Sequence, residues 1–329
     1  MLIGLGVRAQ DYTYNIMFYN VENLFDTEDN PDTADEEFVG GGIRGWSNKK
    51  LAVKCKRIYQ VIAATGDRFP TIIGFCEVEN RNVLERLINT TPLKDLGYRI
   101  VHKESPDHRG IDVALLYRAK EFIPSTFSHH HLVINNKVAH SREILYVKGK
   151  FKACDNFIHF FVNHWPSKYS GVRNSDAKRA VAGKTLRKLA DSIMTSDKKA
   201  TVVCMGDFND EPADESLLQH LGAKEPSQTI CPTDLYNLSY QMMGKEIGTH
   251  KYRYQWSILD QFIVSGSLLN GSYCMHSSIE NSYINHRDFL LIDDKKYLGK
   301  KIFRTYNGFK YEGGYSDHLP IWLKINIKK

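Results

Sequence analysis

The chain has 329 residues, 42% apolar and 25% charged, which is the balance of a globular protein and not of a disordered or fibrous one. Its formal charge of +6 either attracts polyanions or only aids solubility, so charge alone identifies no ligand. The six cysteines contain no C-x-x-C pair, which excludes a structural zinc ribbon and gives no sign of a dense disulfide framework.

The amino terminus is a short apolar run that ends in Val7-Arg8-Ala9. It resembles the tail of a secretory signal peptide cut after Ala9. We therefore interpret residues 1–10 as a signal remnant, which predicts a periplasmic or extracellular protein. The alternative is an N-terminal edge strand in a cytoplasmic protein. No later segment approaches ~20 uninterrupted apolar residues, so no transmembrane segment is predicted.

Short β-rich runs alternate with a few amphipathic stretches, and no repeat or linker divides residues 11–329, which are predicted to form a single domain. Ser47 can cap a helix that continues through Val61. A second helix follows Ser175 and continues through Ile193. The predicted strands are residues 14–20, 71–76, 111–117, 145–151, 157–162, 201–205, 259–264 and 319–327.

Several of these strands are nearly continuous apolar runs, as expected for sheets covered on both faces. Two mixed sheets packed together and flanked by helices give a four-layer α/β/β/α sandwich, an α/β (α+β) fold. The segment 276–315 has weak periodicity and mixed charge, which predicts a long surface excursion beside the functional site.

Acids, amides and histidines stand directly at the ends of several strands. The runs are Glu77-Val78-Glu79-Asn80, Asn163-His164-Trp165-Pro166, Gly206-Asp207-Phe208-Asn209-Asp210 and Ser316-Asp317-His318. Polar groups at strand ends can converge in a cleft held by a rigid scaffold. Each run alone has an ordinary explanation, such as a surface Glu or a turn, so it is their combination that indicates a site.

Carboxylate and amide oxygens are the ligands that Mg²⁺ prefers. Phosphate-ester cleavage also needs a group that orients water and help for the leaving oxygen. Glu77, Asp207, Asn209, Asp317 and His318 are residues of the types for these tasks. Zinc is less favoured because there is no H-E-x-x-H motif, and no Walker loop or dinucleotide fingerprint is present. The residues predict a Mg²⁺-dependent phosphoesterase, with Mn²⁺ as a substitute.

In combination, these motifs resemble the endonuclease/exonuclease/phosphatase superfamily, which includes deoxyribonuclease I. The resemblance covers about residues 15–325. Two stretches, 109–117 and 163–168, are similar to the bacterial extracellular-nuclease-like branch in particular. The motifs that carry it are Tyr19-Asn20-Val21-Glu22-Asn23, Glu77-Val78-Glu79-Asn80, Asn163-His164-Trp165-Pro166, Gly206-Asp207-Phe208-Asn209, Leu259-Asp260-Gln261 and Ser316-Asp317-His318-Leu319-Pro320.

The resemblance implies a metal bound near Asn20, Glu77 and Asp317, with Glu77 as the principal ligand. It further implies that Asp207 orients or deprotonates the attacking water and that Asn209 holds a phosphoryl oxygen.

The same resemblance implies that Asp260 fixes the tautomer of His318. His318 would then bind the scissile phosphate or act as the base. His164 would contact the phosphate or protonate the leaving oxygen.

The resemblance also implies substrate contacts from Arg142, Asn163 and Ser167. For Arg142 the alternative is an ordinary surface strand residue. Glu104 is aligned by position only, as a partner for His164. Asp112 is a strand Asp that would need a buried partner, either Arg109 or a site residue.

Other features have weaker functional interpretations. Three adjacent side chains on a strand point alternately, so His129, His130 and His131 do not predict a metal site. Trp256 is expected to pack and not to contact a base. The basic helix 173–187 would track a phosphate backbone or present a solvated face.

The first functional hypothesis is a nuclease or phosphodiesterase with nucleic acid as substrate and no stable protein partner. The second is a phosphatase or phospholipase-type esterase acting on inositol phosphates, nucleotides or lipid head groups; against a lipid substrate, no exposed aromatic hairpin stands out in the sequence. The third is an inactive binding module, which the complete set of competent residue types disfavours.

Overall fold

A computed structural model describes residues 12–64, 68–168, 172–271 and 273–328. Two large β-sheets pack face to face, and helices cover the outer face of each sheet. This arrangement confirms the predicted four-layer α/β/β/α sandwich. The signal-peptide interpretation of residues 1–10 lies outside the described residues, and the start of the domain at residue 11 stays a prediction.

The strands are numbered in chain order. They are β1 (Tyr12–Leu24), β2 (Ile72–Val78), β3 (Tyr98–His102), β4 (Asp112–Arg118), β5 (Phe122–His130), β6 (Val133–Ile134), β7 (Lys137–Val138), β8 (Ile144–Phe151), β9 (Ile158–His164), β10 (Thr201–Asp207), β11 (Ala223–Lys224), β12 (Leu235–Asn237), β13 (His250–Tyr252), β14 (Gln255–Ser257), β15 (Asp260–Ser265), β16 (Met275–His276), β17 (Ser282–Ile284), β18 (Leu291–Asp293), β19 (Lys300–Ile302), β20 (Tyr306–Asn307), β21 (Lys310–Tyr311) and β22 (Ile321–Ile327).

The α-helices are α1 (Asn48–Ala63), α2 (Arg81–Asn89), α3 (Val172–Ser196) and α4 (Gly266–Leu269). Ser47 caps α1 as predicted, because its side chain accepts the Lys50 backbone N–H. Helix α3 begins before Ser175, earlier than predicted.

The first sheet has the order β16-β22-β1-β2-β4-β3, with β17 also paired to β22, and the second has the order β11-β12-β15-β10-β9-β8-β5. Strands β1 and β2 run parallel, as do β9 and β10, while β22 and β15 are antiparallel to β1 and β10. Both sheets are therefore mixed, and their central strands bring the polar strand ends of the sequence to one edge.

The alternation of side chains along β10 decides which of them face the other sheet. Val203 and Met205 belong to the core between the sheets, whereas Val202 and Cys204 pack against the helix layer that contains α3. Asp207 has the same parity as Met205, so its carboxylate lies at the end of the inter-sheet face. A side chain on Gly74 would meet Met205 at 3.0 Å, which indicates how closely the sheets approach there.

The predicted excursion 276–315 is only partly a surface loop. Its first part supplies His276 of β16 and all of β17, which pair with β22. Its second part forms two-stranded ribbons, β18 with β19 and β20 with β21. Arg304 and Thr305, which join these ribbons, contact residues of the site described below.

Cys154 and Cys274 form a disulfide across 120 residues of sequence. The other four cysteines, Cys55, Cys76, Cys204 and Cys231, are free. Among the described residues, no helix combines the length and apolar character needed to cross a bilayer.

Candidate active site

Three acidic or imidazole side chains meet because neighbouring strands end together. In the register of the second sheet, Asp207 is paired with His164 on one side and with Asp260 on the other. Gly206 makes this approach feasible, since a Cβ there would lie 2.4 Å from the Asn163 carbonyl oxygen. The G-D-x-N sequence is thus explained by strand packing as well as by chemistry.

One carboxylate oxygen of Asp207 stands at the centre of the site. Oδ2 accepts a hydrogen bond from Nδ2 of Asn20, on the opposite sheet, at 3.1 Å. It also lies 3.8 Å from Nε2 of His164 and 3.8 Å from Nε2 of His318. These two distances are too long for direct hydrogen bonds, so both imidazoles point toward this oxygen with their Nε2 atoms available to a third group.

His318 is held by a buried charge pair. Its Nδ1 lies 2.7 Å from Oδ2 of Asp260, which is fully buried. Burial alone would lower the pKa of His318, but the carboxylates of Asp260 and Asp207 hold that pKa well above its usual range. The pair fixes the ring so that Nε2 faces Asp207, as the sequence predicted for Asp260.

His164 has the opposite protonation preference. Burial, together with the positive charges of Arg142 and Arg109, holds the pKa of His164 well below its usual value. Its Nδ1 is buried without a hydrogen-bond partner among the described residues. The site therefore places a neutral imidazole and a cationic one on either side of Asp207, and burial raises the pKa of Asp207 to about 6. Groups whose pKa values are driven apart in this way are suited to different proton-transfer tasks.

Glu77 stands at the edge of the site where β2 is irregular. The register of β2 with β4 shifts between Cys76 and Val78, and Glu77 adopts a left-handed backbone with φ of 60°. Such backbone strain in a non-glycine residue is uncommon and often occurs at functional sites. Oε2 of Glu77 accepts the Asn23 backbone N–H at 3.0 Å.

Asn20 lies between Glu77 and Asp207. Its Nδ2 is 3.5 Å from Oε1 of Glu77, and its Oδ1 accepts the Glu22 backbone N–H at 3.0 Å. In this orientation Asn20 positions two carboxylates and directs its oxygen away from them. Its assignment as a metal ligand stays a prediction.

Asp317 is paired with a guanidinium that the sequence did not indicate. Nη2 of Arg304 donates to Oδ2 of Asp317 at 2.7 Å. Burial opposes ionisation of Asp317, but Arg304 and His318 outweigh it and hold the pKa of Asp317 at about 2. Glu22 and Glu77 also act electrostatically on Arg304, whose side chain is 38% exposed.

A buried lysine, Lys54, joins the two segments that carry Arg304 and Asp317. Nζ of Lys54 donates to the Thr305 hydroxyl and, at 2.8 Å, to the Tyr315 carbonyl. Glu22 accepts the Thr305 backbone N–H at 2.7 Å and lowers the cost of burying Lys54, whose pKa burial reduces to about 8.

The donor set of this edge fits a hard divalent cation. Glu77 and Asp317 are carboxylates that face the same guanidinium, and Asp207 lies beside them across Asn20. Oxygen ligands of this kind hold Mg²⁺ or Mn²⁺. Mixed groups also occur, such as Asp207, Asp260 and His318, or His250, Asp317 and His318, whose ligand atoms lie within 4.8 Å of one another.

The Asn163-His164-Trp165 motif mainly positions the loops that follow β9 and β10. Asn163 is fully buried, and its Oδ1 accepts the Trp165 indole N–H at 3.2 Å. The Trp165 carbonyl accepts Nδ2 of Asn209 at 2.9 Å and Nη2 of Arg142 at 2.9 Å. Asn163 therefore orients Trp165, which in turn holds Asn209. The contact of Asn163 with substrate stays a prediction.

Arg142 is a buried residue, so the alternative of an ordinary surface residue is wrong. Its Nη1 donates to Oδ2 of Asp107 at 2.9 Å. Its Nη2 donates to the Trp165 carbonyl, so both Nη groups of Arg142 have partners within the protein. Contact of Arg142 with nucleic acid stays a prediction. Ser167 is half-buried just beyond Pro166.

Asp112 finds a partner that the sequence did not suggest. Its Oδ2 lies 2.9 Å from Nε2 of His102, and its Oδ1 accepts the Ser105 backbone N–H at 2.8 Å. Arg109 instead donates to Asn23. Glu104 belongs to the group of His102 and Asp112. It forms no hydrogen bond with His164 among the described residues, so that predicted pairing is wrong.

The remaining candidates have structural explanations. His131 pairs with Glu143 and His130 with Ser128, in agreement with alternating directions on a strand. Trp256 packs on the main core, as expected. Arg179 of α3 is fully buried, with Nε 2.6 Å from Oδ2 of Asp210, so it neither tracks a phosphate backbone nor is solvated.

His250 is a site residue that sequence reasoning missed. It forms a backbone bridge with His318, and the two ring centroids are 4.8 Å apart. Burial lowers the pKa of His250 to about 4. No sequence motif indicated it, because it reaches the site only through pairing between segments 68 residues apart.

Sequence comparison found a family profile that matches most of the chain. The sequence profile described as "Endonuclease/Exonuclease/phosphatase family" matches residues 15–327. No curated protein matches the sequence.

Several solved structures share the fold. An endonuclease/exonuclease/phosphatase family protein from Bacteroides thetaiotaomicron is 15% identical, with a TM-score of 0.57 over 97% of this chain and 99% of that one. The human Nocturnin catalytic domain with bound sulfate is 15% identical, with a TM-score of 0.58 over 97% and 98%. TDP2 of D. rerio, complexed with single strand DNA product, is 14% identical, with a TM-score of 0.56 over 95% and 98%.

Proposed function

This chain belongs to the endonuclease/exonuclease/phosphatase family of phosphoester-hydrolysing enzymes, and we propose that it is a Mg²⁺-dependent nuclease or phosphodiesterase acting on nucleic acid. The observation that carries the proposal is the Asp207 carboxylate, flanked by the Nε2 atoms of His164 and His318 at 3.8 Å each. This buried edge offers two imidazoles to the oxygens of a phosphate group and one carboxylate acceptor to the attacking water.

The residues divide the chemistry among them. Asp207 accepts a proton from the attacking water, because its carboxylate is oriented by the Asn20 amide and the Asn209 backbone N–H. His318, kept cationic by Asp260, donates to a phosphoryl oxygen and stabilises negative charge there. His164, which is neutral, is placed to assist the leaving oxygen.

Glu77 and Asp317 are the residues that would hold the divalent cation, with Asp207 beside them. When bound, such a cation supplies positive charge that stabilises the phosphoryl oxygens during hydrolysis. Arg304 already contributes one positive charge at the same place through its contact with Asp317. The expected metal requirement is for oxygen-preferring ions, Mg²⁺ first and Mn²⁺ as a substitute.

Nucleic acid is favoured as substrate by the positive net charge of +6, by the Asn163–Lys168 motif, and by likeness to TDP2, one structure of which is complexed with single strand DNA product. Charge on the phosphate backbone provides most of the attraction in such complexes.

The test is a panel of substrates assayed with Mg²⁺ and with EDTA. Plasmid DNA, RNA, bis-p-nitrophenyl phosphate, inositol phosphates and sphingomyelin would be compared for the wild type and for His318→Gln. His220→Gln is the matched control, since His220 is a partly exposed histidine whose ion pair is with Glu215, away from the site.

We expect Mg²⁺-dependent cleavage of the nucleic acids and of the diester, with loss in His318→Gln and none in His220→Gln. Turnover of monoesters or of sphingomyelin alone would refute the nucleic-acid assignment. Equal activity of His318→Gln and wild type on every substrate would refute the site itself.

Export from the cytoplasm is part of the same proposal. The disulfide between Cys154 and Cys274 supports it, because disulfides persist mainly in oxidising compartments. The apolar run at residues 1–10 supports it independently. Cell fractionation of the full gene product is the test, and a wholly cytosolic, unprocessed protein would contradict it.

A further inference from the structure

A hairpin made of β13 and β14 begins beside His318, one of the two histidines that flank Asp207. His250, its first residue, forms a backbone bridge with His318. The preceding residue, Thr249, accepts the backbone N–H groups of Leu259 and Asp260 at its hydroxyl, at 2.9 and 3.1 Å. The base of the hairpin is therefore hydrogen-bonded to the segments that carry both members of the His318–Asp260 pair.

The register of the hairpin separates a packed face from an open one. Lys251 is paired with Trp256 on one face, where Trp256 packs on the core. The Lys251 ammonium is 3.1 Å from Asp294 and also binds two backbone carbonyls of the β18–β19 ribbon. Residues two apart on a strand share a face, so Tyr252 lies on the side of His250, about 7 Å farther along the strand.

Two strongly exposed tyrosines stand where the hairpin turns, Tyr252 at the end of β13 and Tyr254 in the turn itself. Tyr252 is 66% exposed and Tyr254 is 77% exposed. Between them Arg253 adopts a left-handed backbone, and its guanidinium carbon lies 5.2 Å from the Tyr252 ring centroid. Exposed aromatic residues concentrated beside a catalytic centre indicate a contact surface. We call Tyr252, Arg253 and Tyr254 the tyrosine tip.

The charge around the tyrosine tip selects its partner. The hairpin sequence from His250 to Ser257 contains no carboxylate. The adjoining ribbon, fixed to it by Lys251, adds Lys295 and Lys296 at its turn. The ribbon also carries two acids, but Asp293 is paired with Lys300 and Asp294 with Lys251. A surface that combines planar rings with cations, and whose nearby acids are already paired, is complementary to a polyanion with flat, stackable groups.

We propose that the tyrosine tip binds a single-stranded segment of nucleic acid next to the scissile phosphate, with bases stacked on Tyr252 and Tyr254 and a backbone phosphate held by Arg253. The inference rests on the proposed function, since it names the form of nucleic acid that this site takes. In a duplex the base faces are stacked against one another, so the tip discriminates in favour of unpaired strands or ends.

The tip also corrects an expectation from the sequence, in which no exposed aromatic hairpin was evident. Such a hairpin could equally insert into a lipid surface. Among the described residues of the β13–β14 hairpin and the β18–β19 ribbon, Leu298 is the one strongly exposed aliphatic side chain, at 79%. A membrane-inserting surface would need more apolar side chains than this. Two tyrosines with three basic residues favour nucleic acid over a bilayer interior, and the lipid case becomes an outcome of the test.

The experiment measures binding of fluorescent oligonucleotides by anisotropy, in Mg²⁺ buffer and in an Asp207→Asn background that prevents turnover. A single strand and a blunt duplex of the same sequence are compared. The variants are the double substitution Tyr252→Ala/Tyr254→Ala and its ring-preserving counterpart Tyr252→Phe/Tyr254→Phe. The matched control is Phe127→Ala, because Phe127 is an aromatic residue of similar exposure on β5, at the far edge of the second sheet.

We expect the alanine pair to weaken single-strand binding at least about 30-fold, the combined scale of two lost base stacks. The phenylalanine pair and Phe127→Ala should remain within about threefold of the parent, because stacking needs a ring and not a hydroxyl. Melting temperatures of all variants check that each is folded.

Two results would overturn the inference. One is unchanged single-strand binding in the alanine pair, and the other is a parent protein that prefers the duplex. In the first case, tyrosine-dependent co-sedimentation with phosphatidylcholine–sphingomyelin vesicles would identify a lipid surface as the partner instead.

Failure of the proposed function is seen separately. Wild-type protein with Mg²⁺ is incubated with the same oligonucleotides, and absence of any cleavage refutes the nuclease assignment. Cleavage by wild type together with normal binding by the alanine pair refutes only the role of the tyrosine tip.

Discussion

Replacing Arg179 by Met should destabilise the protein strongly, although Arg179 lies on a helix whose sequence looks like an ordinary basic surface. The side chain is 0% exposed, and its Nε is 2.6 Å from Oδ2 of Asp210. Nη1 donates to the Pro166 carbonyl at 3.0 Å. The guanidinium thereby ties α3 to the loop after β9 and to the loop after β10, which carries Asn209.

The size of the effect follows from what remains after the substitution. Asp210 keeps the Ser216 hydroxyl at 2.6 Å and the Lys168 ammonium at 3.0 Å. Breaking a buried ion pair commonly lowers the free energy of unfolding by about 3–5 kcal/mol. Because Asp210 keeps two partners, we expect Arg179→Met to lower it by about 3 kcal/mol, near the lower end of that range. The double variant Arg179→Met/Asp210→Asn should cost less than the sum of the single changes, because each single change breaks the same buried ion pair and the pair can be lost only once.

Urea unfolding followed by fluorescence measures these free energies. Arg187→Met is the control on the same helix, since Arg187 is 31% exposed and pairs with Asp191 four residues later. A surface pair of this kind contributes about 0.3–0.5 kcal/mol. The reasoning fails if Arg179→Met stays within about 1 kcal/mol of wild type, or if the two single arginine variants are destabilised equally.

Three further predictions concern the site, pH and thiols. Asp260→Asn should lower kcat for bis-p-nitrophenyl phosphate roughly 10²- to 10⁴-fold, because His318 loses its charged partner at 2.7 Å; a loss under tenfold would contradict this. Burial lowers the pKa of His159 to about 4, below the value of about 6.5 in the unfolded chain. The free energy of unfolding should therefore fall by up to about 3 kcal/mol as pH decreases from about 6.5 toward 4, because the unfolded chain takes up a proton that the buried ring resists. His159→Gln should therefore show a shallower decrease in unfolding free energy between pH 7 and 4 than wild type, and parallel curves would exclude the effect. Thiol titration of unreduced, denatured protein should give four groups, for Cys55, Cys76, Cys204 and Cys231, and six after reduction; six in both conditions would show that the pair does not form.

The layers and most of the polar edge could be predicted from the amino-acid sequence. Apolar runs at strand length, each ending in Asn, Asp, Glu or His, were sufficient to predict two covered sheets with functional groups at their ends. In the structure, alternation along β10 gives Asp207 the same face as Met205, which packs between the sheets. These features are local, because a strand fixes the direction of its own side chains.

The tertiary structure alone decided which partners these groups have. Three contacts join segments that are separated in the chain: His250 with His318, Arg304 with Asp317, and Lys54 with Thr305. Each of these residues looks like a surface cation or an unremarkable strand residue in the sequence. Burial and charge pairing arise only when the segments pack.

The same reason explains the expectations that were wrong. Asp112 pairs with His102 because β3 and β4 are antiparallel neighbours, and a position in the sequence does not reveal which strand lies alongside. Arg179 is buried because the loops after β9 and β10 converge on one face of α3. The sequence determines which chemical groups stand at the ends of its strands; the packing of distant segments decides which of those groups are charged, paired or open to a substrate.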